Sequence, residues 1–141
     1  MSAVMWGIVI WLSCSFLLFL ILVLCRNKSV YIICPVRNLS PEQQQEIERY
    51  VARLEDDGYL VHYPPRDVDQ GDPVGISIIR AHRRAMEKCG RVDIFWDVNS
   101  KGSHFGLGMA IASGKPIRLI KAYQPDNEGK SFLKVIQQFQ C

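Results

Sequence analysis

Residues 92–110 read VDIFWDVNSKGSHFGLGMA, and their order decides the fold. Val92–Trp96 is a short apolar run ending at Asp97, the pattern of a strand buried on both faces of a parallel sheet. Val98–Ser103 predicts a turn-rich loop, His104–Ser113 a short helix closed by Gly114, and Pro116–Ile120 a further strand. The same alternation extends upstream. Val30–Cys34 (VYIIC) is a wholly apolar, β-branched run that ends at Pro35. Ser40-Pro41-Glu42-Gln43 supplies an N-cap, a proline at the first helical position and a capping-box glutamine, so a helix is predicted to about Asp57, stopped by Gly58. Tyr59–Tyr63 predicts the next strand, and Pro64-Pro65 with RDVDQGDP predicts a long loop. A second helix is expected from Asp72-Pro73 to Cys89, with Ile78, Ile79, Ala85, Met86 and Cys89 as its apolar stripe, and a last one over Lys130–Phe139. This alternation predicts a doubly wound α/β domain with a parallel sheet over residues 29–141. Its ligands are expected beyond the carboxyl ends of the strands, after Cys34, Tyr63, Trp96 and Ile120.

Ahead of this domain, Ala3–Cys25 carries no charged residue, and at about 1.5 Å rise per residue it is long enough to cross a hydrocarbon core of ~30 Å. Residues 1–28 are therefore read as one transmembrane helix with a short basic linker. A cleaved secretory signal would show a basic start, a shorter apolar run and a small-residue cleavage site, whereas this run ends Leu22-Val23-Leu24-Cys25. Leu24 also stands where a lipoprotein signal needs a small residue. Arg26 and Lys28 follow the span and no Lys or Arg precedes it, which predicts a single-pass membrane protein with its C-terminal domain in the cytoplasm.

The formal net charge of +3 belongs wholly to the residues after Cys25, a mild bias under which no polymeric nucleic acid is expected as a partner. Arg80, Arg83, Arg84, Lys88 and Arg91 fall along or just after one predicted helix, either as a solvated face or as contacts to anionic headgroups. The five cysteines, at 14, 25, 34, 89 and 141, show no CxxC spacing and read as reduced apolar fillers; acylation of Cys14 or Cys25 is left open.

Gly102-Ser103, between a strand end and a helix start, is the place where backbone N–H groups and a hydroxyl meet an anion such as a phosphate; the alternative is a plain turn and helix cap. Asp67, Asp69 and Asp72 share one polar loop at the ligand edge, either to accept from sugar hydroxyls or to form turns. His82 falls on the buried side of its helix and needs a polar partner there. His62 and His104 show no metal-ligand spacing, so no metal is expected. Trp96 beside Asp97 either stacks on a base or packs in the core.

Four stretches in this order, VYIICPVRN (30–38), YPPRDVDQGDP (63–73), CGRVDIFWD (89–97) and SKGSHFGLGMAIASGKPI (100–117), resemble the nucleoside 2-deoxyribosyltransferase family and its nucleotide N-glycosidase relatives. The resemblance covers about Val30–Ile120 and implies a flavodoxin-like, Rossmann-like fold acting on the N-glycosidic bond of deoxyribonucleosides or their monophosphates. In that family a glutamate on the helix after the third strand attacks the sugar C1′. Counted four residues from Gly102, its position here is Gly106, so the nucleophile is missing. A base-orienting aspartate of the second helix would fall at His82 or near Lys88, and is lost as well. The resemblance leaves a binding set of Tyr31, Pro35, Arg66, Asp67, Asp69, Asp97, Gly102, Ser103 and His104. Asp72 or Asp97, or else Asp69, would have to serve as the working carboxylate. If the site is open, Gly106→Glu should fold and gain base release.

The resemblance further implies a nucleoside or nucleotide ligand, no cofactor, and a homo-oligomer in which one subunit completes the pocket of the next. Two functions follow: a membrane-tethered deoxyribosyltransferase-like domain with weak glycosidic cleavage or transfer, or a noncatalytic nucleotide sensor or scaffold that self-associates at the membrane. A TIR-like dinucleotide hydrolase would need a glutamate at the pocket, and Glu87 lies too near the far end of its helix.

Overall fold

The structure, a computed structural model, describes residues 28–37, 39–124 and 129–140. The apolar stretch read as a membrane span lies outside these residues; among the described ones, no helix is long and apolar enough to cross a membrane.

Strand β1 (Ser29–Ile33) is buried along its whole length, as its apolar run requires. Helix α1 (Pro41–Asp56) starts on the expected capping box: Ser40 Oγ accepts from the Gln43 N–H at 3.2 Å and Gln43 Oε1 accepts from the Ser40 N–H at 2.9 Å. It ends before Gly58, whose φ of 80° is a turn conformation that glycine adopts without strain. Strand β2 (Leu60–His62) follows.

The loop expected at Pro64-Pro65 instead opens with a short helix, α2 (Pro64–Asp67), because two prolines fit the first turn, where their missing N–H groups cost nothing. Helix α3 (Ile76–Lys88) begins later than Asp72-Pro73. Gly75, at φ 85°, turns the chain, and the Asp72 carboxylate accepts from the Ser77 N–H at 2.7 Å and from the Val74 N–H at 2.9 Å. Met86 and Cys89 of the expected stripe are buried, but Ile79 is 45% exposed because the helix rotates it off the sheet.

Strand β3 (Arg91–Trp96) leads to helix α4 (Lys101–Ala112), strand β4 (Ile117–Ala122) and helix α5 (Phe132–Gln138). Here the expectation is corrected at the most informative point. The helix begins at Lys101 within the supposed loop, and Ser100, not Ser103, is its N-cap. Likewise α5 starts after Ser131, which caps the Lys134 N–H, and not at Lys130.

The four strands are all parallel, in the order β2-β1-β3-β4, with Val30 opposite Arg91 and Val92 opposite Ile117. Helices cover both faces. On one side Ile47, Val51 and Leu54 of α1 pack on Val30, Ile32 and Phe95. On the other, Met86 of α3, Leu107 and Ala110 of α4, and Leu133 and Ile136 of α5 pack on Tyr31, Ile33, Val92 and Ile94. This is the doubly wound layout read from the sequence. Asp93 departs from the apolar pattern. It is fully buried and held by Arg91 Nε at 3.0 Å and by the Tyr50 hydroxyl at 2.7 Å, and Arg91 lies over the Tyr59 ring. Nothing in the sequence singles out this pair, because a carboxylate within VDIFW reads as the outward residue of an alternating strand.

Candidate functional site

At the carboxyl end of β1 the chain turns away at Pro35, and α4 crosses close beside the strand. Between them lies a cleft of about 50 Å³, lined by Tyr31, Ile33, Cys34 and Val36 on the strand side, Pro64 and His82 beside it, and Gly102, Phe105, Gly106 and Met109 of α4. It stands where ligands of a doubly wound sheet are expected.

Tyr31 is its polar centre. The hydroxyl meets His82 Nδ1 at 2.5 Å, which gives His82 the partner its buried position requires. Burial first, then the neighbouring Cys34 and Cys89, push the Tyr31 phenol well above its ordinary range, so it stays protonated and donates to His82. Burial and the nearby His62 lower the His82 pKa, so this imidazole accepts as the neutral form. His62 stacks on the other side of the Tyr31 ring, with centroids 5.2 Å apart. Its own pKa is lowered by burial, and its Nε2 has no hydrogen-bond partner among the described residues. Cys34, with its thiol pushed up to about 12 by burial, carries no thiolate near neutral pH and is no nucleophile.

Gly106 sits on the buried side of α4 against β1. A Cβ built there would lie 3.3 Å from both Cδ1 and Cγ1 of Ile33, closer than ordinary carbon contacts of ~3.5–4.0 Å. The position is therefore tight rather than open, and a side chain there requires Ile33 or the helix to give by a few tenths of an ångström. Among the described residues, no aspartate or glutamate lines the cleft.

The other residues of the expected binding set are placed as follows. Ser103 is fully buried; its N–H and its hydroxyl both donate to Ser100 Oγ, at 3.2 and 2.9 Å, so it supports the cap. His104 donates from Nδ1 to the Ser100 carbonyl at 2.8 Å and packs its ring between Trp96 and Phe132. Trp96 is buried and packs in the core. Pro35 is also buried.

Asp97 accepts from the Asn99 N–H and from Gln124 Nε2, both at 2.8 Å, and so ties the β3 and β4 loops together. Arg66 and Asp67 close the free edge of β2: Arg66 donates to the Val61 carbonyl and to Glu55, while Asp67 accepts from the Tyr63 N–H at 2.7 Å. Asp69 accepts from the Gly71 N–H, the turn-forming role of a loop aspartate. Asp72, besides its backbone bonds, accepts from the Ser77 hydroxyl at 2.6 Å, and these bonds hold its carboxyl well below the usual range. Of the sequence-derived set, Tyr31 and Gly102 line the cleft, together with His82 and Gly106. Ile33, Phe105 and Met109 also line it; as apolar residues on a strand and a helix they carry no signal in a sequence beyond packing.

The same architecture recurs in solved proteins. The Clostridium botulinum CMP N-glycosidase BcmB matches with a TM-score of 0.55 at 20% identity, over 79% of this chain and 82% of its own. A 2-deoxyribosyltransferase from Bacillus psychrosaccharolyticus matches with a TM-score of 0.56 at 16% identity, over 79% of this chain and 96% of its own. This chain has their fold. The structural match is thus to the two kinds of protein that the four sequence stretches resemble. No protein-family model matches the chain, and no curated protein does.

Proposed function

We propose that this chain is a membrane-tethered, nucleoside 2-deoxyribosyltransferase-like domain that binds a nucleoside or nucleotide without cleaving its glycosidic bond. One observation carries the proposal: among the described residues the cleft at the carboxyl end of β1 has no carboxylate on its walls, and α4 lies close against Ile33 at Gly106, where the resemblance puts the nucleophile. Glycoside chemistry of this kind needs a carboxylate at the anomeric carbon. The aspartates left to supply one, Asp69, Asp72 and Asp97, are engaged with their own loops.

The two proteins of the same fold are by name a CMP N-glycosidase and a deoxyribosyltransferase, so nucleoside monophosphates are the first ligands to test. A cleft of about 50 Å³ is far smaller than a nucleotide, so on this reading a nucleotide binds by parting α4 from the β1 loop. A ligand that must move a helix is one a sensor can report. Ile79 of α3 and Phe105 of α4, 45% and 48% exposed on neighbouring helices, supply an apolar surface for self-association.

The experiment is direct. The purified full chain is incubated with CMP, dCMP and the matching nucleosides, base release is followed by liquid chromatography, and binding by calorimetry. Binding without base release is expected. Release above the uncatalysed rate overturns the noncatalytic reading, and no binding at millimolar ligand overturns the nucleotide reading. Mass spectrometry of any co-purified small molecule names the ligand.

A further inference from the structure

The sheet has a second open side, at the amino end of its strands. A groove of about 740 Å³ runs from there along the edge strand β2, walled in part by Val61, bordered at the amino end by Leu60, Glu87 and Lys88, and closed at the other end by Arg66 and Asp67. Leu60 is 76% exposed, which is costly for a leucine unless something covers it.

Short hydrogen bonds fix where this groove stands relative to the N-terminal sequence. The Leu60 N–H donates to the Lys28 carbonyl at 2.8 Å, the Ser29 hydroxyl donates to the Lys88 carbonyl at 3.3 Å, and the Gly90 N–H donates to the Ser29 carbonyl at 2.8 Å. Leu60 and Lys88 therefore flank the point where Lys28 continues back into the apolar run. Between Cys25, the last residue of that run, and Ser29 stand Arg26, Asn27 and Lys28, which at about 3.5 Å per residue reach ~10 Å at most. A bilayer of ~30 Å hydrocarbon and ~40–45 Å in all has a headgroup layer of roughly 5–7 Å on each side. A chain leaving the hydrocarbon at Cys25 thus enters β1 at the outer surface of the headgroups.

We infer that this edge of the domain docks on the bilayer, with Leu60 and the amino-end mouth of the groove beside β2 against the headgroup layer and Lys88 on a lipid phosphate. The inference rests on the anchor reading proposed above. Lys28 and Lys88 share the edge with Asp56, Asp57 and Glu87, so the surface has no excess of positive charge and docks on zwitterionic phosphatidylcholine. The parallel strands then point away from the membrane. Over the four steps from Ser29 to Ile33 of β1, at about 3.3 Å each, the cleft at the strand's end is held roughly 13 Å out, open to the cytoplasm.

The test uses the full chain in phosphatidylcholine nanodiscs, with Cys14, Cys25 and Cys141 replaced by Ser and the buried Cys34 and Cys89 left in place. A nitroxide is attached through Leu60→Cys or, as the reference, through Val98→Cys, an exposed position on the loop after β3. Collision with oxygen, which concentrates in lipid, is compared with collision with a water-soluble nickel chelate. The oxygen-to-nickel ratio is expected to be severalfold higher at 60 than at 98, and Lys88→Glu is expected to lower it. Hydrogen exchange of the unlabelled chain provides a second measure, with residues 57–62 slower in nanodiscs than in detergent. Equal ratios at 60 and 98 in a chain that resists alkaline carbonate extraction overturn the docking alone. Release of the chain by carbonate overturns the anchor reading and the docking with it.

Discussion

Gly106 packs against Ile33 at one wall of the cleft, and its replacement tests both that packing and the proposed noncatalytic reading. Alanine brings two opposing effects. Removing a glycine from a helix interior gains about 1 kcal/mol. The new methyl, however, lies 3.3 Å from two atoms of Ile33, so strand or helix must give by a few tenths of an ångström. Overpacking a core costs ~1–3 kcal/mol, and a single methyl against a movable side chain sits at the low end of that range. Gly106→Ala should therefore change stability by less than about 1 kcal/mol in either direction.

Coupling to Ile33 is the sharper quantity. Ile33→Val alone costs ~0.5–1.5 kcal/mol, but in the Gly106→Ala background it removes Cδ1, one of the two atoms in the tight contact. The cost should then fall, giving a coupling of about 0.5–1 kcal/mol. Gly106→Glu adds a carboxylate to an apolar cleft of about 50 Å³ and should destabilise by ~3 kcal/mol or more. Thermal and urea unfolding of the full chain in micelles, followed by near-ultraviolet circular dichroism, measures all four variants. If Gly106→Ala stabilises by the full helix-propensity gain with no coupling to Ile33→Val, α4 does not approach β1 as described. A well-folded Gly106→Glu that releases base would refute both the packing and the noncatalytic proposal.

Other outcomes follow from the same structure. Asp93→Ala strips the Arg91 guanidinium and the Tyr50 hydroxyl of a shared acceptor, while Arg91 stays partly exposed over the Tyr59 ring, so it should cost about 1–3 kcal/mol in denaturant titration; a loss below ~0.5 kcal/mol would mean that the pair is solvated. Ser100→Ala removes the cap and strips two donors of their acceptor, so it should destabilise by ~1–2 kcal/mol, more than Ser103→Ala at ~0.5–1.5 kcal/mol. The reverse order would restore Ser103 as the cap. His62 and His82 are both held neutral by burial, with folded pKa values below the ordinary 6.5. The unfolded chain therefore binds more protons just below that value; stability is full above it and declines as the pH falls into the lowered range. A thermal midpoint unchanged between pH 8 and pH 5 in the His62→Phe, His82→Phe background, against a fall in the wild type, would assign the effect to these rings.

The order of strands and helices was legible because each strand is a short apolar run and each turn carries glycine or proline at its hinge. Where the reading slipped, a side chain had switched partners over a short distance. Ser100 and Ser103 stand three residues apart, both before apolar sequence, and only the accepted hydrogen bond tells which one is the cap. Arg66 and Asp67 belong to the binding set that the resemblance implies, and in the sequence they are simply polar residues of a loop. In the fold they satisfy the open edge of a three-residue strand, a need that is invisible until β2 is known to be an edge. The pairing of Tyr31 with His82 spans 51 residues, so the sequence showed that His82 required a partner without showing which.

Loss of a catalytic carboxylate and closure of a site are separable events, and on the proposed reading they coincide at Gly106. Replacing a glutamate by glycine and nothing more would leave a void the size of the lost side chain, and a polar void of that kind takes up water. A Cβ at Gly106 would meet Ile33 at 3.3 Å, so no void of that size stands between helix and strand there. The polar group that remains in the cleft, the Tyr31 hydroxyl, is turned to a neutral histidine and not to a carboxylate. That pair can donate to a ligand or release it, but with the phenol held protonated and the imidazole neutral it generates neither a nucleophile nor a negative charge to stabilise an oxocarbenium ion. Under the proposed reading, a ligand entering this cleft would displace α4, the helix on which Phe105 stands exposed.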